Sequence, residues 1–279
     1  VRRILLICLL VSAQAWALNP TFVKASGAGI STVAANSVTV TTTSTAGNSI
    51  VLAVEAIDTV PIFVSDSAGN TYTQQVVVDN SAAVATNKAY LFTSPLSASA
   101  ATSFKVCANN VGCTGATTTF LYLVVLEYSN VTAYGLNTSG QSAAVQVTTN
   151  TLGITTQDTN NTVVKALFLN QSVSTTLTWT AGTGRIVCSS ASTPVCATTT
   201  ISAKTGDIFY AGDGTAASAS VVNVTETWTG ASEVTEAALE LRSNNVAAPA
   251  GGNAPRRALR GAGALNDNRW AWLKEERSC

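Results

Sequence analysis

Short runs of alternating or continuous apolar residues, broken by small polar clusters, follow one another along this chain as far as Arg242. Ser37-Val-Thr-Val-Thr-Thr-Thr43 alternates with a period of two, the pattern of a strand with one face inward. Ser49-Ile-Val-Leu-Ala-Val-Glu55 begins as an unbroken apolar run and predicts a strand buried on both faces. Residues 71–78, 88–92 and 102–107 read as further strands, and Thr118 to Tyr128 carries the strongest strand signal of the chain. Residues 145–148, 162–169, 175–179, 198–202, 220–228 and 235–242 continue the series. Ala46-Gly-Asn48, Asp66-Ser-Ala-Gly-Asn70, Thr180 to Gly184 and Ala211-Gly-Asp-Gly214 separate strands and are expected to be turns. No stretch before Asn244 shows a clear helical period. The expectation is an all-β, antiparallel sandwich, with a barrel as the other closed form. Gly47-Asn-Ser-Ile-Val-Leu-Ala53 and Asn160-Asn-Thr-Val-Val-Lys-Ala166 echo each other, which predicts two related halves of one sandwich, with two small sandwiches as the alternative.

The two ends differ from this body. Arg2 and Arg3, the apolar run Ile4 to Ala13 and the small-x-small Ala15-Trp-Ala17 form a secretory signal peptide over residues 1–17. Its apolar run is too short for a permanent anchor, so no transmembrane segment is expected once it is removed. Leu5-Leu-Ile7 before Cys8 lacks the small residues of a lipidation site. Residues 18–243 form the expected sandwich domain. From Asn244 the composition turns to Ala, Pro and Gly and then to basic residues with two tryptophans, so residues 244–279 read as a linker and a disordered basic tail.

Charge sharpens this division. Residues 18–243 hold seven Lys and Arg against twelve Asp and Glu, a balance of −5, whereas residues 244–279 hold six against three. Charged residues make up only 11% of the chain, well below the usual quarter, so no clustered basic face for nucleic acid is expected. A Thr-, Ser- and Asn-rich surface of this kind suits the extracellular space.

Export permits disulfides. Of the three connectivities open to the four body cysteines, Cys107–Cys113 and Cys188–Cys196 are favoured because each closes a short loop between strands. A zinc site would want tighter cysteine pairs, usually with histidine. Cys279 has no evident partner.

Several segments together look familiar: Gly47 to Val54, Val64-Ser-Asp-Ser-Ala-Gly-Asn-Thr-Tyr72, Val124-Val-Leu-Glu-Tyr-Ser-Asn-Val131, Thr225-Glu-Thr-Trp228 and Ala237 to Arg242. In this order they resemble the β-sandwich modules, jelly-roll or immunoglobulin-like, of large secreted and surface proteins of environmental bacteria. The resemblance covers residues 20–243. It implies an extracellular module without established catalytic residues.

The chain contains no histidine, which removes Ser-His-Asp and Cys-His mechanisms and every His-ligated metal site. Paired carboxylates remain, because a glycan-cleaving enzyme needs only two acids flanking the bond. Glu55, Glu127, Glu226, Glu233, Glu236 and Glu240 are the candidates, but each also reads as a rim carboxylate facing water or a backbone amide. Asp66 and Asn70 place oxygen donors around a glycine turn and are the candidate calcium ligands, with Asp207 and Asp213 flanking another turn. The competing reading of Asp66 is a side chain capping a hairpin turn. Trp179, Tyr72 and Tyr210 are the candidate sugar-stacking residues, whereas Trp228 reads as core. The functional expectation is a secreted, non-catalytic module that binds carbohydrate or another cell-surface polymer. A structural spacer or self-associating surface subunit is the alternative, and a glycan-cleaving enzyme the third reading.

Overall fold

A computed structural model describes residues 18–30, 36–57, 61–79, 87–114, 121–141, 147–170, 178–179, 182–189, 195–197, 208–215 and 221–243. The predicted signal peptide, the tail from Asn244, the strand expected over 198–202 and Asp207 lie outside these residues. All the described residues belong to one compact unit. They form sixteen strands in three antiparallel sheets and no helix. The chain is an all-β protein, as the alternation predicts.

The five-stranded sheet has the order β1 (Thr21–Ile30), β8 (Leu121–Ser129), β3 (Ser49–Ile57), β6 (Asn87–Thr93), β5 (Thr73–Asp79). A three-stranded sheet, β2 (Ser37–Thr41), β7 (Ser103–Ala108), β4 (Ile62–Asp66), covers one of its faces. Ile50, Leu52 and Val54 of β3 and Leu121, Leu123 and Val125 of β8 pack there with Val38, Phe104 and Val106. The alternate residues Val51, Ala53, Tyr122, Val124 and Leu126 face the opposite way, into a second core. The central strands are therefore buried on both faces, which is why their sequences are apolar without alternation.

The second core is closed by an eight-stranded sheet. Its main path is β10 (Val147–Thr155), β16 (Val221–Arg242), β11 (Thr162–Asn170), β15 (Ile208–Thr215), β13 (Thr183–Ser189), β14 (Val195–Ala197). Two more strands, β9 (Ala133–Gln141) and β12 (Thr178–Trp179), also pair with β16. Val164, Ala166 and Phe168 of β11, Phe209 and Ala211 of β15 and Ala237, Leu239 and Leu241 of β16 fill this core. The two expected strands 220–228 and 235–242 are one 22-residue strand. Its first part pairs with β10 and β12, and its second with β11 and β9. Ile154 of β10 packs on Val163 and Ala238, so β10 lies against the outer face of the β11–β16 pair.

The echo between residues 47–53 and 160–166 has a structural counterpart. Strands β3 and β11 hold internal positions in the two facing sheets, with Val51 and Ala53 sharing one core with Val164 and Ala166.

Two turn expectations resolve differently. Asp66 to Asn70 is a turn, with Gly69 at a φ of 75° that favours glycine. Ala211 to Gly214 is not a turn but part of β15, paired with β11 throughout and with β13 from Ala211 to Asp213. Gly212 faces Lys165 on one side and Gly184 on the other.

Both disulfides have the expected connectivity, Cys107–Cys113 and Cys188–Cys196. The second joins directly opposed residues of β13 and β14. Two such bonds indicate an oxidising environment. Among the described residues, no helix is long and apolar enough to cross a membrane.

Candidate functional site

The main concentration of chemistry in this fold is inside it. Glu55, Glu127, Lys165, Asp213, Glu233, Glu236 and Glu240 are all buried. An ionised group taken out of water must be paired or hydrogen-bonded. Four groups of contacts meet that need for Asp213, Glu240, Lys165 with Glu236, and Glu127, and β-bulges shape two of them.

Asp213 ties the two large sheets together. An extra residue in β13, Arg185, sits where Gly184 and Ile186 face consecutive residues of β15. A bulge of this kind re-aims its side chain. Arg185 donates from Nε to Asp213 Oδ2 at 2.9 Å and from Nη2 to Oδ1 at 2.8 Å. The Tyr128 hydroxyl, from the five-stranded sheet, donates to Asp213 Oδ2 at 2.8 Å. The guanidinium also lies 4.0 Å from the centroid of the Phe22 ring, which meets Tyr128 edge-on. Burial, then the Asp213 charge and hydrogen bond, push the Tyr128 hydroxyl well above its ordinary range, against an opposing effect of Arg185.

Glu240 occupies a second bulge. Leu239 and Leu241 of β16 face Asn137 and Tyr134 of β9, so Gly135 and Leu136 together oppose Glu240. The Leu136 amide donates to Glu240 Oε2 at 3.1 Å. A side chain at 135 would collide with that carboxylate, since a Cβ would lie 2.1 Å from Oε2. The Gln157 amide and the Asn161 carboxamide donate to Oε1 at 2.7 and 2.6 Å.

The third group is Lys165, Glu236 and Asn150. Lys165 Nζ lies 2.5 Å from Glu236 Oε2, and both side chains are essentially inaccessible. The Asn150 carboxamide nitrogen donates to the other oxygen, Oε1. Burial raises the Glu236 carboxyl above its ordinary range, while the nearby Lys165 pulls it down.

At the opposite sheet, Glu127 accepts from the Thr45 amide at 2.8 Å and from Asn48 at 2.6 Å, with Lys24 Nζ 3.4 Å from its second oxygen. Burial alone would raise this carboxyl. The hydrogen bonds from Asn48 and Thr45, and then the Lys24 charge, outweigh it and hold the group below its ordinary range.

The residues expected to carry function are dispersed. Both oxygens of Asp66 are engaged within its turn: Oδ1 accepts from the Ala68 and Asn70 amides, and Oδ2 from Asn70 Nδ2 and the Tyr72 hydroxyl. This is the side-chain-capped turn of the competing reading. Among the described residues, no three His, Cys, Asp or Glu side chains converge as a metal site. Tyr72 is half-buried against the smaller core, and Tyr210 is a core residue at 6% exposure. The Trp179 backbone pairs with Glu226 in β16, but the side chains of Trp179, Glu226 and Trp228 lie outside the described residues. Asp213, expected beside a turn, is mid-strand and held by Arg185.

Sequence reasoning did not single out Lys165, Asn150 or Arg185. One signal was present for Lys165, a lone charge inside the apolar run Val163 to Leu169. No protein-family model, curated protein or solved structure matches this chain.

Proposed function

We propose that this protein is a secreted, non-catalytic interaction module that takes a carbohydrate or another cell-surface polymer. The observation that carries this reading is the internal commitment of its acids: Asp66, Glu127, Asp213, Glu236 and Glu240 each hold at least two partners within the chain. Carboxylates so engaged stiffen a support rather than flank a scissile bond. The outward positions of β10 carry neutral hydrogen-bonding groups instead. Thr149, Thr151 and Thr155 of β10 are all exposed. Such a surface suits a neutral, hydroxyl-rich polymer.

The alternative of self-association through strand edges has less support. The two outermost strands of the five-stranded sheet are each bulged, at Val23 in β1 and at Gln75 in β5. Bulged edges pair poorly with another chain. A spacer role draws on the same rigidity as the binding role.

Affinity electrophoresis of the purified chain through gels carrying a panel of neutral and acidic polysaccharides, with calcium and with chelator, tests the proposal. Retardation by one polymer class is expected. Unchanged mobility in every gel would overturn polymer binding in favour of a spacer.

A further inference from the structure

A buried lysine paired with a carboxylate is a costly arrangement, and apolar residues of similar size are often as stable or more so. Lys165 sits in apolar surroundings. Its same-face neighbours in β11 are Val163 and Leu167, which belong to two apolar clusters containing Ala238 and Ile154 on one side and Val234 and Tyr210 on the other. Its amine contacts one oxygen of Glu236, and the carboxamide of Asn150 contacts the other. An amine and a carboxylic acid, both shut off from water, thus meet a part-buried carboxamide that the acid touches, on β11, β16 and β10. Those are the reactants and the proton carrier of an amide exchange.

From this geometry we infer that Lys165 and Asn150 join in an intramolecular isopeptide bond, with Glu236 as the acid and base that carries the protons. The Lys165 ammonium gives one proton to Glu236, leaving a neutral amine and a neutral acid. The Nζ lone pair forms a bond to Asn150 Cγ, and the carbonyl π pair moves to Oδ1. Glu236 delivers its proton to Nδ2 and accepts the second proton from Nζ. The carbonyl re-forms, the Cγ–Nδ2 bond breaks with its electron pair on nitrogen, and ammonia departs. One C–N bond is exchanged for another, with no oxidant, reductant or co-reactant. The low-dielectric site favours the neutral acid that the first step needs. The raised Glu236 carboxyl agrees with that, burial being the cause. The product would fasten β10 covalently to β11, and so the outer layer of the eight-stranded sheet to its centre. It is independent of which polymer, if any, the surface binds.

The test is the mass of the full chain after complete reduction and denaturation, together with its tryptic map. The expected mass lies below that of the sequence by one ammonia, about 17 Da. Trypsin should fail to cut after Lys165, leaving residues 106–185 as one peptide with fragments branched between Asn150 and Lys165. The variants Lys165→Arg, Asn150→Ala and Glu236→Gln should each retain the full mass. An unshifted wild-type mass with ready cleavage after Lys165 would overturn the inference, whether or not the variants fold. Ammonia loss with that cleavage retained, as a succinimide at an asparagine gives, would also overturn it.

Discussion

Replacing Asp213 with alanine isolates the contact that joins the two large sheets. The change removes both Arg185 hydrogen bonds and the acceptor of the Tyr128 hydroxyl. Tyr128 is fully buried, so its hydroxyl is left without that acceptor at a cost of about 1–3 kcal/mol. Breaking a buried ion pair by removing one partner costs about 3–5 kcal/mol. Arg185 keeps 26% of its side-chain exposure and regains water, which places the total near the lower bound, about 3 kcal/mol. For a domain of this size that lowers the melting temperature by about 6–12 °C. Asp213→Asn keeps an acceptor for Tyr128 but loses the charge, and should fall between wild type and Asp213→Ala. Tyr128→Phe removes one donor while leaving the Arg185 pair, for about 1 kcal/mol. Calorimetry on the single and double variants gives the coupling between the two positions. A melting temperature within about 2 °C of wild type for Asp213→Ala would refute the claim that this contact holds the sheets together.

Other outcomes follow from the same structure. The Glu127 carboxyl is held low in the folded state, so its contribution is present above the ordinary glutamate range and is lost as pH falls through the folded value. Urea midpoints measured down the acid limb should therefore fall less steeply in Glu127→Gln than in wild type. Tyr72, Tyr128 and Tyr134 are all raised above the ordinary tyrosine range, chiefly by burial, so the stability they confer is intact below about pH 10 and is lost as pH rises beyond it. Their tyrosinate absorbance should appear together with loss of the folded circular dichroism signal, and ionisation of all tyrosines in a folded protein would contradict this. A Cβ at Gly184 would lie 1.6 Å from the Tyr210 hydroxyl oxygen, so Gly184→Ala should cost about 1–3 kcal/mol in thermal unfolding, partly recovered in combination with Tyr210→Phe. Opening Cys188–Cys196, a link across a sequence separation of 8, should cost about 2.5 kcal/mol by the loop-entropy estimate, and equal melting of the Cys188→Ala/Cys196→Ala variant and wild type would refute it.

Much of this fold is legible in the residue pattern where a strand has a simple environment. Strands β2, β3, β6, β7 and β11 lie close to their expected positions because apolar periodicity records burial directly. The unbroken apolar run of β3 even foretold burial on both faces, since a sheet covers each side of it. The strands that went unrecognised, β1, β9, β13 and β15 among them, are rich in glycine and small polar residues that resemble loops. Their glycines are there because something large lies opposite: Gly29 beneath the Tyr122 ring, Gly135 beneath Glu240, Gly184 beneath Tyr210. That requirement comes from a distant strand and leaves no local period.

The buried charges were hidden for the same reason. Asp213 and Tyr128 are 85 residues apart, and Asn150 and Glu236 are 86 apart. An acid that is paired only after the sheets stack reads in sequence as a rim or turn residue. Asp66 was legible because its partners lie within a few residues, at Ala68, Asn70 and Tyr72.

The proposed role, a rigid, non-catalytic support that holds a surface polymer, demands binding without cleavage, and one experiment measures both. The full chain is incubated with insoluble polysaccharides; protein left in the supernatant and reducing ends released are quantified on the same samples. Depletion of the protein by at least one polymer, with no release of reducing ends, is expected. Release that grows with time and protein concentration, or full recovery of the protein from every supernatant, would overturn it.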